Sequence, residues 1–230
     1  MRHLPQSLML FAAGFGTRMG GLTANRPKPL IPVAGQALID HALGQAAGVR
    51  SIAVNLHYLP DQIRAHLSGR SDICFSHESE TILETGGGLR KALPLLGAGP
   101  VFTLNTDAVW TGQNALAQLS AAWDADRMDG LLLLVPKGHA TGHNGKGDFD
   151  IDAMGRLSRG SALVYTGAQI LKTAGLAAIP DKVFSLNLLW DQMATAGRLF
   201  GVVHQGGWCD VGRPEAIALA EVLLKGGPDV

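Results

Sequence analysis

Two cysteines in 230 residues, Cys74 and Cys209, leave no material for a disulfide framework or a four-thiolate zinc site. Charge is scarce and balanced: 17% of residues are charged, 19 basic against 19 acidic, with no basic block. That balance excludes nucleic acid as a bulk electrostatic partner. No apolar run approaches the ~18 residues of a membrane span, and the run Leu131 to Val135 stops at Pro136, as a buried strand does. The stretch Leu8 to Ala13 follows Arg2, but its six residues are short for a signal-peptide core and lead into a glycine-rich loop, so a cytoplasmic location is expected. Internal repeats and Pro/Ser-rich linkers are also lacking. With 47% hydrophobic residues the chain is neither disordered nor a small secreted scaffold. We therefore expect one domain over 1–230, with a nucleotide-type half to about 136 and an acceptor-type half after it.

The first half alternates short apolar runs with longer helical patterns. Leu8 to Ala13, Ser51 to Leu56, Ile73 to Ser76, Val101 to Asn105 and Leu131 to Val135 read as strands. Between them, helices are expected over 37–47, 61–67, 86–96 and 113–123. This alternation predicts an α/β fold with a doubly wound, mostly parallel sheet. Ligands in such sheets bind beyond the carboxyl ends of the strands, where Gly14, the 84–88 turn and Asp107 fall. After Pro136 the pattern changes. Residues 137–147 read as a flexible polar loop, and strands at Phe149, at Ile151 and over 162–170 lack intervening helices, which predicts a small antiparallel addition. Ser185 is placed to cap a helix through Ala196, Leu199 to His204 reads as a strand, and Pro214 opens a last helix ending at Lys225.

Two segments carry chemistry. In Ala12-Ala13-Gly14-Phe15-Gly16-Thr17-Arg18-Met19 the glycines let backbone N–H groups approach an anion, and Arg18 adds a bidentate cation. Neither standard phosphate motif fits: Met19 stands where the dinucleotide fingerprint needs glycine, and Gly145-Lys146-Gly147 lacks the P-loop hydroxyl. In Arg26-Pro27-Lys28-Pro29-Leu30-Ile31-Pro32-Val33 three prolines hold the chain extended and present Lys28 as a pre-positioned cation. Asp107, at a strand end, is either a turn residue or a ligand. Glu84 either caps the following helix or meets a ligand. His139 and His143 lack the pattern of a zinc site and read as loop histidines. Cys209 reads as a small packing residue.

The run from Phe11 to Gly35 resembles the signature of the sugar-1-phosphate nucleotidyltransferases, and Leu83 to Gly88, Leu104 to Asp107 and Trp208 to Gly212 match that family in order. Two departures are Gly20-Gly21 after Met19 and Thr106 in the middle of Asn105-Thr106-Asp107. The resemblance implies transfer of a nucleotidyl group from a nucleoside triphosphate to a sugar 1-phosphate, with Mg2+ held by Asp107 and Asp210. It puts Arg18 on the leaving pyrophosphate and Lys28 nearer the reacting phosphates. By the same likeness Ala12, Ala13, Gly14, Gly16 and Thr17 lie along the nucleotide, with Glu84, Gly86, Gly87 and Asn105 near base or ribose. Asp148 and a turn at Tyr165-Thr166-Gly167 fall where the family holds the sugar. Segments 84–96, 142–149 and 208–212 further resemble the uridylyltransferases of bacterial cell-wall recycling, implying UTP and N-acetylmuramic acid 1-phosphate as substrates. The alternatives are a guanylyl- or thymidylyltransferase acting on a hexose 1-phosphate such as mannose 1-phosphate, or a non-catalytic sugar-nucleotide sensor.

Overall fold

The computed structural model describes residues 4–226, so Arg2 lies outside the described residues. In chain order the first half contains β1 (Ser7–Phe11), β2 (Pro32–Val33), β3 (Gln36–Ala37), α1 (Leu38–Gly44), β4 (Ser51–Leu56), α2 (Pro60–His66), β5 (Ile73–His77), α3 (Glu84–Leu96), β6 (Val101–Asn105), β7 (Ala108–Trp110), α4 (Ala115–Ala122) and β8 (Gly130–Pro136). The second half adds β9 (Ala140–Thr141), β10 (Phe149–Ile151), β11 (Leu157–Arg159), β12 (Leu163–Leu171), α5 (Asn187–Thr195), β13 (Leu199–Val203), β14 (Trp208–Asp210) and α6 (Glu215–Lys225).

The central sheet has nine strands. β6, β1, β4 and β5 run parallel side by side, and β13 runs parallel to β8. Between the two groups β12 runs antiparallel to both β6 and β8, and the β10–β11 hairpin extends from its start. The predicted mostly parallel sheet with an antiparallel addition is thus found. Strand β1 shows why its sequence is apolar throughout. Leu8 and Leu10 enter the core beneath α1 and α4, whereas Met9 enters the opposite core beneath α3 and α5. A third cluster joins Met19, Ile31, Val33, Val109, Cys209 and Val211 under the inner face of α6.

The helices start where local chemistry allows. Pro60 occupies the first turn of α2, and the Asn114 side chain accepts the Ala117 N–H at 2.9 Å to cap α4. Ser185 Oγ accepts the Asn187 N–H at 3.2 Å, so α5 begins just after the expected cap.

Three expectations need correction. Lys28 lies in a one-turn 3-10 segment, Lys28–Leu30, while Pro27 and Ile31 on either side are extended. The 137–147 loop contains β9, which pairs with β14 in a small sheet ordered β7-β14-β9; a two-residue strand leaves no periodicity to read. Tyr165-Thr166-Gly167 is not a turn but part of β12, at a register shift where Gly167 has φ +91°. Among the described residues no helix is long and apolar enough to cross a membrane.

A buried polar chain ties β6, β12 and α5 together. Gln169 donates to Thr103 Oγ1 and accepts the Trp190 indole N–H, both at 2.8 Å. Gln169→Leu strands the indole donor and should cost about 1–3 kcal/mol in urea unfolding. A loss below about 0.5 kcal/mol would mean that water replaces the amide.

Candidate active site

Beyond the carboxyl ends of β1 and β6 opens a cavity of about 320 Å³. Ala12, Ala13, Gly14, Gly16, Thr17, Arg18, Lys28, Glu84, Asn105 and Asp107 all line it, as do Asn55, Thr85, Thr106 and Gly212.

Its first wall is the loop after β1. Ala12 N–H donates to Asn55 Oδ1 at 2.7 Å, and the Phe11 carbonyl accepts the Thr106 hydroxyl at 2.7 Å. Gly16 has φ +65°, and a Cβ there would lie 2.8 Å from Lys28 Cβ. Glycine is required for both the turn and the approach of the lysine. The following 3-10 segment is pinned by Met19, which is 1% exposed, while Thr17 and Arg18 remain exposed toward the cavity.

The charged groups converge on the opposite side. Lys28 Nζ donates to Asp107 Oδ2 at 2.8 Å, and the lysine side chain is mostly buried. β7 and β14 run antiparallel with Asp210 opposite Ala108, and the Val211 N–H donates to the Asp107 carbonyl at 2.8 Å. This short pairing places the two carboxylates together. Burial raises the Asp210 carboxyl above its ordinary value of 3.8, the Asp107 charge raises it further, and Lys28, Arg18 and His143 oppose the shift. Gly212 brings Arg18 in: a Cβ there would lie 3.1 Å from Asp210 Oδ1 and 3.3 Å from Arg18 Nη2.

The donor set fits magnesium. Among the described residues no cluster of three His, Cys, Asp or Glu side chains could hold a metal, so the protein offers two carboxylates rather than a cage. Magnesium accepts one or two carboxylates when phosphate oxygens and water complete its shell. A divalent cation would also favour the ionised Asp210 carboxylate against the burial and the Asp107 charge that raise it.

Other expected positions are arranged differently. Gly86 and Gly87 are packed closely against protein. A Cβ at Gly86 would sit 2.3 Å from the Phe184 ring, one at Gly87 would sit 2.5 Å from the Lys182 carbonyl, and both N–H groups donate to the Phe184 carbonyl. Glu84 is exposed on the cavity with φ +58°, and no side chain caps α3. Asp148, Tyr165, Thr166 and Gly167 do not line the cavity. Asp148 Oδ2 accepts the Tyr165 N–H at 2.9 Å, the Tyr165 ring packs edge-on against Trp190, Thr166 Oγ1 donates to the Leu133 carbonyl, and Gly167 abuts Asn105. Trp208 packs in the core with its N–H on the Thr166 carbonyl. Burial pushes the Cys209 thiol up to about 12, so this buried residue is no nucleophile. Asn55 escaped the sequence reading, although it is the one polar side chain inside the apolar run 52–56, and Thr106 was noted there only as a departure from the family pattern.

A family described as the MobA-like NTP transferase domain matches residues 8–175. The chain is 43% identical over 239 residues to N-acetylmuramate alpha-1-phosphate uridylyltransferase of Caulobacter vibrioides, covering 97% of this chain and 99% of the relative. It is 34% identical over 226 residues to the protein of the same name from Neisseria meningitidis serogroup B, covering 94% and 96%. In three dimensions it is similar to a putative glucose-1-phosphate thymidylyltransferase from Bacillus anthracis, with a TM-score of 0.81 and 14% identity over 97% of each chain, a likeness of fold.

A carboxyl raised in the folded state costs stability once ionised, so the wild type should lose stability as pH rises from 3.8 through the raised value of Asp210. Asp210→Asn removes that loss. Its melting temperature without metal should exceed the wild type's at neutral pH. The difference should vanish near the ordinary carboxylate range. A variant less stable than wild type at neutral pH would show that attraction to Lys28 and Arg18 outweighs the repulsion.

Proposed function

Because the chain belongs to the sugar-1-phosphate nucleotidyltransferases, within the MobA-like NTP transferases, we propose that it joins UTP to N-acetylmuramic acid 1-phosphate, giving UDP-N-acetylmuramic acid and pyrophosphate for cell-wall recycling in the cytoplasm. The reading is carried by the convergence of Arg18, Lys28 and Asp107 at one cavity, with Asp210 close enough to feel the charges of all three. The near full-length likeness to two uridylyltransferases supports the choice of substrates.

In this reading residues 1–230 act as one domain, with 1–136 serving the nucleotide and 137–230 the acceptor. An oxygen of the acceptor phosphate forms a bond to the α-phosphorus, and the bond from that phosphorus to the β-phosphate bridging oxygen breaks. Pyrophosphate leaves with the electron pair. Such a reaction demands alignment and charge neutralisation more than covalent help from the protein. Gly14, Gly16 and Thr17 hold the triphosphate, and Arg18 neutralises the leaving pyrophosphate. Lys28 exchanges its bond with Asp107 for the reacting phosphates. Asp107 and Asp210 hold Mg2+, which when bound draws charge from the phosphate oxygens. Ala12, Ala13 and Asn105 meet the nucleoside, with Glu84 at its edge. Asp148 and the 165–167 segment of β12 act on the acceptor side by holding backbone rather than by lining the nucleotide cavity.

Pyrophosphate release in magnesium buffer, with each triphosphate against a panel of sugar 1-phosphates, should be fastest with UTP and N-acetylmuramic acid 1-phosphate. Another preferred pair, such as GTP with mannose 1-phosphate, would keep the mechanism and replace the substrates. Nucleotide binding without release for any pair would favour a sensor. Asp107→Asn should lower kcat by about 100-fold or more while UTP still binds, measured by calorimetry. Undiminished turnover in that variant would remove Asp107 from the metal site.

A further inference from the structure

Glu78 is the one buried carboxylate among the described residues, 1% exposed, and no lysine or arginine forms an ion pair with it. Such a charge is costly unless hydrogen bonds satisfy it. Its two oxygens have separate partners. Oε2 accepts the Leu83 N–H at 2.7 Å, just before Glu84, and Oε1 accepts Asn55 Nδ2 at 2.8 Å. With its nitrogen committed there, the Asn55 amide can present only its oxygen to β1, and Oδ1 accepts the Ala12 N–H at 2.7 Å. Gly88 keeps this arrangement possible: a Cβ would lie 2.8 Å from Glu78 Oε1 and 3.2 Å from Asn55 Nδ2.

We propose that Glu78 and Asn55 are positioning residues, a buried relay that sets the place of Ala12 and of the Leu83–Glu84 turn on two sides of the nucleotide cavity. The inference rests on the nucleotidyl-transfer reading and deepens it. Glu78 touches no substrate; it acts through Asn55 and the Leu83 N–H. The one Ala12 N–H is already bonded to Asn55, so a base would take its backbone donor from the next groups along. Their placement depends on which way the Asn55 amide points, and Glu78 decides that.

The test exchanges the chemistry of the pair. Asn55→Asp alone sets two carboxylates face to face, and Glu78→Gln alone must present one amide to two donors. Together they restore every bond with the central one reversed: the new amide donates to the new carboxylate while the Leu83 and Ala12 N–H groups keep their acceptors. Pyrophosphate release is measured at varied UTP with saturating N-acetylmuramic acid 1-phosphate, alongside melting temperature. Each single variant should raise the KM for UTP roughly tenfold with kcat reduced less than about threefold, and the double variant should return KM to within about threefold of wild type. Lower melting temperatures with unchanged KM in the singles, or a double variant no better than either, would overturn the relay. Should a single variant fail to fold, the double decides alone: wild-type KM supports the relay and an elevated KM overturns it. A wild type that neither binds nor turns over any nucleotide overturns the transfer reading and the relay with it, whereas an active wild type with unmoved variants overturns only the relay.

Discussion

Asp107 and Asp210 end up near one another in a half-buried site, and the balance of their two charges is the constraint around which the other charged groups are arranged. Lys28 answers it from the protein side, with its ammonium 2.8 Å from Asp107 and its stem packed against Gly16. Arg18 reaches the Asp210 side past Gly212, where any side chain would intrude. Burial first, and the Asp107 charge second, raise the Asp210 carboxyl, an environment that a cation would ease.

Holding that arrangement requires rigid supports on three sides. The central sheet supplies β1 and β6, whose ends carry Ala12 and Asn105, and covers both faces with apolar cores. The small β7-β14-β9 sheet carries the aspartates, backed by Val109, Cys209 and Val211 under α6. The third support is the close seating of α3, where each of three glycines admits a different neighbour: the Phe184 ring, the Lys182 carbonyl and the Glu78 carboxylate. Glu84 follows from that seating, since its left-handed backbone is a strained conformation kept at the edge of the cavity.

The parts legible in the sequence were those written locally. Apolar runs marked β1, β4, β6 and β8, and the glycines and prolines around Arg18 and Lys28 marked a cation-bearing loop. Asp107 was marked by its place at a strand end, but Asp210 could be singled out only through resemblance, because the meeting of the two depends on strand pairing between distant segments. Glycine was the least readable signal. Gly86 and Gly87 announce a close approach without saying by what, and Gly167 looks like a turn though it sits at an irregularity in β12. Glu78 left no trace either. A glutamate among Ser79, Glu80 and Thr81 reads as surface, and only the return of β4 and α3 around it makes it the most buried acid.

The β7–β14 pairing also sets an order in time. Asp210 follows Asp107 by roughly a hundred residues, an interval of roughly 5–20 s at the pace of synthesis. For that interval the glycine-rich loop, Lys28 and Asp107 already exist, and the second carboxylate does not. A growing chain cannot complete the charge pair until one of the last strands has been made.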